Sequence, residues 1–108
     1  MNGRLAVATV TTANTWQNIY RISTDCLRAE VCVSVVNANS SDVTCKVAFC
    51  STTTPAATEF AENGVTIAAN GGRLILSDEK LSPGEYIFVQ TSIAGCVVRV
   101  SGDELVEI

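Results

Sequence analysis

A chain of 108 residues with 7 Lys and Arg against 11 Asp and Glu, and no histidine, has the size of one acidic domain. Its charged fraction, 17%, lies below the ~25% usual in soluble domains, so much of its surface is weakly solvated, which favours packing against other molecules. Residues 1–54 carry four basic and three acidic side chains and residues 55–108 three and eight; with no Lys/Arg cluster, neither nucleic acid nor an anionic membrane is an expected partner.

The opening MNGRLAVATVTT sets Arg4 before an apolar run, but a threonine interrupts that run and Thr11 and Thr12 end it, so it falls short of a signal-peptide core. No uninterrupted apolar stretch is long enough for a helical span. The expectation is a soluble, uncleaved chain made in the cytoplasm.

In chain order, residues 4–11 form the first candidate strand and TANT breaks it. Residues 16–22 alternate, with Trp16, Tyr20 and Ile22 on one face and Gln17 and Arg21 on the other. After STDCLRAE comes a strand over 30–37 with Val31, Val33 and Val35 on one side, then NANSSD with hairpin-loop composition, then a return over 43–50. STTTPAA is a polar connection containing Pro55, which has no N–H for a ladder. Residues 58–69 read as a strand interrupted at Asn63-Gly64, Asn70-Gly71-Gly72 as a turn, and 73–77 as its return. Pro83-Gly84 fits a type II turn before strands over 86–91 and 96–101. About eight short strands, with no sustained 3.6-residue period, predict an all-β, two-sheet antiparallel sandwich filling residues 1–108 as a single domain. A small barrel is the alternative.

Catalytic chemistry finds little to use. Without histidine there is no Ser-His or Cys-His pair, and Gly71-Gly72 lacks a phosphate-loop frame. Asp78-Glu79 and Asp103-Glu104 are adjacent pairs whose members point to opposite sides of an extended chain, so neither is a ready carboxylate dyad. No calcium-loop series is present. Cys26, Cys32, Cys45, Cys50 and Cys96 form no C-x-x-C pair and read as reduced, small apolar residues, not metal ligands. Cys45 shares a face with Val43, Val47 and Phe49, and Cys96 shares one with Val98 and Val100, whereas Cys32 and Cys50 fall on the opposite faces of their strands. The expectation is a non-enzyme with no cofactor and no metal.

What remains is apolar surface. In YIFVQT, Tyr86 and Phe88 take one face and Ile87 and Val89 the other, yet one face alone can look into a sandwich core. Either copies of the chain cover Tyr86 and Phe88, or the N-terminal strand or the 51–59 segment folds over them.

NIYRI, VCVSVVNANSSDVTCKVAF, the turn LSPGE and the ending from Val98 to Glu104 give the chain a pattern that resembles small virion structural proteins of tailed bacteriophages. The resemblance covers most of the chain. It implies an immunoglobulin-like or jelly-roll-like sandwich, present in many copies, in the virion. The function implied is that of a capsid decoration (cement) protein, a homotrimer or other homo-oligomer bound to the major capsid protein. A tail-fibre or tail-appendage module with tail proteins as partners is the alternative, and a host adhesin-like module is more remote. For a decoration protein the expected contacts are Asn2, Gly3, Arg4 and Leu5 and the loop Ser51, Thr52, Thr53 and Thr54, both poor in core-type alternation. The acidic end from Asp103 and Glu104 through residue 108 would lie against a basic capsid surface.

Overall fold

The computed structural model describes residues 2–56 and 59–105, with the side chain of Asn2 outside that description. Its eight strands are β1 (Asn2–Thr9), β2 (Gln17–Arg21), β3 (Arg28–Asn37), β4 (Val43–Cys50), β5 (Phe60–Ile67), β6 (Gly72–Leu81), β7 (Tyr86–Thr91) and β8 (Val97–Leu105). The expected spans for β4 and β7 match, because sharp turn chemistry flanks a continuous apolar run in each. β6 and β8 run several residues past their expected ends, since polar side chains facing water do not stop a ladder whose other face is buried. The expected start of β5 at residue 58 lies outside the described residues.

Two four-stranded sheets, ordered β1-β8-β3-β6 and β2-β7-β4-β5, pack face to face, and every pairing is antiparallel. Among consecutive strands, β4 and β5 pair with each other; the other connections cross from one sheet to the other. That strand order is the jelly-roll wrap of two Greek keys. NANSSD is therefore a corner between sheets rather than a hairpin loop, and Asn70-Gly71, with φ of 60° and 100°, likewise turns the chain from β5 into the opposite sheet. Turn residues specify a reversal and leave open which sheet receives the next strand.

The shared core is built from small β-branched side chains. Val31, Val33 and Val35 of β3 and Val98 and Val100 of β8 face Val43, Val47, Ile87 and Val89 across the sandwich, all essentially excluded from solvent. Cys45, Cys96 and Cys26 fill this core as small apolar groups. β2 departs from its expected alternation. A bulge between Asn18 and Tyr20 shifts the parity, so Tyr20 packs on the main core while Trp16 lies on the outer face.

Polar groups enter the interior with their partners. Glu104 is buried, and its carboxylate accepts hydrogen bonds from the Tyr20 hydroxyl (2.9 Å) and the Ser23 N–H (2.6 Å). Burial and that contact push the Tyr20 phenol up to about 12. At the other end of the sandwich, the fully buried Asn37 donates from Nδ2 to the carbonyls of Ser41 (2.9 Å), Ile67 (3.2 Å) and Ala68 (3.2 Å), and its Oδ1 accepts from the Asn39 N–H (3.0 Å). One amide side chain thus ties the β3–β4 corner to the end of β5. Asn37→Ala strands these groups in a dry site, and we expect a loss of about 2–4 kcal/mol in urea unfolding with the β-sheet circular dichroism retained.

Candidate functional site

The two sheets present very different outer surfaces. On the β2-β7-β4-β5 side, Trp16, at the entry to one edge strand, meets Phe60, on the other edge strand, with ring centroids 5.2 Å apart. The two rings close over the middle of the sheet, where Ala48 and Cys50 supply the small side chains that make room for them. Phe88 lies beneath at 6% exposure, its ring 5.9 Å from that of Tyr86. Tyr86 remains half-buried with the Arg21 guanidinium 4.8 Å above its ring. Of the two alternatives for this face, intramolecular cover is the one realised at Phe88, through Trp16 and Phe60 rather than the N-terminal strand.

Among the described residues, the β1-β8-β3-β6 side has no such roof. Registered rows cross it from edge to edge: Thr9, Val97, Val36 and Arg73; then Val7, Arg99, Ser34 and Ile75; then Arg4, Ser101 and Cys32 beside the bulge at Ser77 and Asp78. Val7 and Ile75, at the two ends of one row, are 46% and 52% exposed. An open depression of about 480 Å³ lies beside Cys32, lined by Glu30, Asp78 and Asp103 with Ser77 and Ser101. Gly102 forms its floor. At φ +142° it brings β8 so close to β3 that a Cβ there would overlap the Glu30 carbonyl oxygen. Among the described residues, no group of three or more His, Cys, Asp or Glu side chains is placed to hold a metal ion.

The residues expected to make contacts divide between these sides. Asn2, Gly3 and Arg4 pair with Asp103, Gly102 and Ser101, so the N-terminal stretch and Asp103 share one sheet. Arg4 is exposed, whereas Leu5, at the β1 bulge, packs against the core. Glu104 points inward to Tyr20 and Ser23 and is buried, unlike the outward-facing Asp103, and residues 106–108 lie outside the described residues. Ser51, Thr52, Thr53 and Thr54 form an exposed loop off the opposite sheet. The Glu59 carboxylate pins that loop by accepting from the N–H groups of Ser51 and Ala56, each at 3.2 Å. Missing from the expected set are Val7, Ile75 and the outward residues of β3. The outward positions of β3 and β8 are legible as the alternate residues of each strand, but the sequence does not say that a roof covers one sheet and leaves the other open.

All five cysteines are free thiols, and Cys32, on the bare face, is the one not buried. Burial pushes the thiols of Cys26, Cys50 and Cys96 up and that of Cys45 to about 12, so these stay protonated and unreactive at neutral pH. Comparison with family models, curated proteins and solved structures finds no match for this chain.

Two outcomes follow from this arrangement. Phe88→Ala empties space under the Trp16–Phe60 roof and is expected to cost about 3 kcal/mol in urea unfolding while leaving the solution mass unchanged. A lower mass with stability intact would instead place Phe88 at an intersubunit contact. In dilute native protein at pH 8, maleimide should add once per chain, at Cys32, as read by mass spectrometry. Cys32→Ser should abolish that adduct, and the other four thiols should react after denaturation.

Proposed function

We propose that this chain is a non-enzymatic virion structural protein of a tailed bacteriophage, acting as a capsid decoration protein that binds the outer surface of the head and stabilises it. The observation that carries this reading is the bare face of β1-β8-β3-β6. It is a broad β surface of mixed apolar and charged residues, held rigid by an unbroken central ladder, on a chain whose other outer face is closed by its own aromatics. Such a surface suits many small contacts spread along its rows. The resemblance of the sequence pattern to small phage virion proteins supports the same reading. In this role each copy clamps neighbouring capsid subunits and spreads the outward load of packaged DNA over its rigid sandwich.

The test compares particles made with and without the protein. Cryo-electron images are expected to lose surface knobs from the head when it is missing, and heated particles to release DNA at a lower temperature. Adding the purified protein back should restore both. Density lost from the tail, with the head unchanged, would replace decoration by the appendage role.

A further inference from the structure

We infer that the outer face of β1-β8-β3-β6 pairs with the same face of a second copy, about a two-fold axis running along the strands between β8 and β3. The inference rests on the assembly reading for its biological setting, and because the dimer covers the face that would meet the capsid, pairing and capsid binding exclude each other on any one copy. Within the homotrimer or other homo-oligomer that the sequence resemblance implies, it specifies a closed, isologous dimer.

The face is self-complementary about that axis. Rotation exchanges β1 with β6 and β8 with β3. Val7 then lies over Ile75 of the second copy, and Ile75 over its Val7, since the two residues occupy opposite ends of one registered row. In the next row Val97 lies over Val36. In the row on the other side Arg4, on β1, comes over Asp78, at the β6 bulge. Each match occurs twice. Neither Arg4 nor Asp78 has a side-chain hydrogen bond or ion pair to any described residue, so both charges are available to a second molecule. Aligned sheets cross at about 30°, so the matches on β8 and β3, the strands nearest the axis, lie closest to direct opposition.

The edges of the sandwich direct association to this face. The central ladders β3–β8 and β4–β7 have continuous register, whereas each edge pairing, β1–β8, β2–β7, β3–β6 and β4–β5, contains a register shift. Bulges of this kind twist an edge away from strand addition.

Four strands ~4.8 Å apart and about eight residues long cover roughly 500 Å² per copy, or about 1,000 Å² in the pair, the lower bound of specific interfaces. The dimer is therefore reversible and concentration-dependent.

Sedimentation equilibrium of the purified chain tests this. The mass should rise with concentration from 11.4 kDa toward twice that value. Ile75→Asp and Val7→Lys, at exposed positions on the two edge strands, should each weaken dimerisation at least tenfold with circular dichroism unchanged. Arg4→Glu should weaken it also, which keeps the test open if either apolar substitution disturbs folding. Ile93→Asp, an exposed apolar position in the β7–β8 connection, should leave the mass curve as in the wild type. Maleimide labelling of Cys32 should slow over the same concentration range in which the mass doubles. A monomer at every concentration, or equal disruption by Ile93→Asp and Ile75→Asp, would overturn the inference. A dimer that leaves phage heads bare would sink the decoration reading and spare this one; a monomer that coats heads would do the reverse.

Discussion

The structure depends on the register of β3 against β8. In this central ladder Val33 opposes Val100 and Val35 opposes Val98, all facing the second sheet, and no bulge interrupts it from Arg28 to Val36. Side chains on a strand alternate with period two, so the same register sends Cys32, Ser34 and Val36, with Val97, Arg99 and Ser101, to the outside. A slip of one residue would bring Arg99 into the core and expose the valines. Core and outer face are thus two consequences of one constraint. Gly102 extends the constraint to the end of β8: its missing side chain lets the strands approach, opens the depression above Cys32, and is followed by Glu104 facing Tyr20.

The second sheet resolves its own excess apolar surface locally. Period two gives β7 and β4 an outer row of Phe88, Ala48 and Cys50 that cannot share the main core. Trp16 and Phe60 reach inward from the two edges of that sheet and meet above it, forming a small second core within the chain. Ala48 is needed as much as the aromatics. A large side chain in its place would hold the rings apart, as overpacking commonly does. The first sheet has no comparable aromatic at either edge, with Val7 and Ile75 at the corresponding places, and its surface stays open.

Much of this was legible in the sequence. The alternation of Val31, Val33 and Val35, the Pro83-Gly84 turn and the polar breaks suffice for an all-β sandwich of about eight strands. Pairing was not legible, because NANSSD and Asn70-Gly71 encode a reversal equally well at a hairpin or at a corner between sheets. Local bulges were also hidden. The one between Asn18 and Tyr20 separates Trp16 from Tyr20, although simple alternation sets them on one face. Glu104 looked like part of a solvated acidic end; its burial depends on a tyrosine and an amide more than 80 residues earlier in the chain. The outer-face residues themselves could be read from parity, but their status as covered or bare depends on long-range packing at the sheet edges.

The low charge of the chain now has a location. A sandwich of this size with both outer faces charged would need more Lys, Arg, Asp and Glu than the 18 present. Roofing one face with its own aromatics removes part of that need, because Phe88 and Cys50 no longer meet water. What remains concentrates on the opposite face, where apolar and charged residues interleave row by row instead of segregating into an apolar centre and a charged rim. An interleaved face of this kind tolerates water when alone and gains modestly when covered, since each apolar contact is accompanied by desolvation of a neighbouring charge. That balance favours many weak, reversible contacts over one tight one. In the decoration role proposed above, weak contacts would let a misplaced copy leave before its neighbours lock it in position.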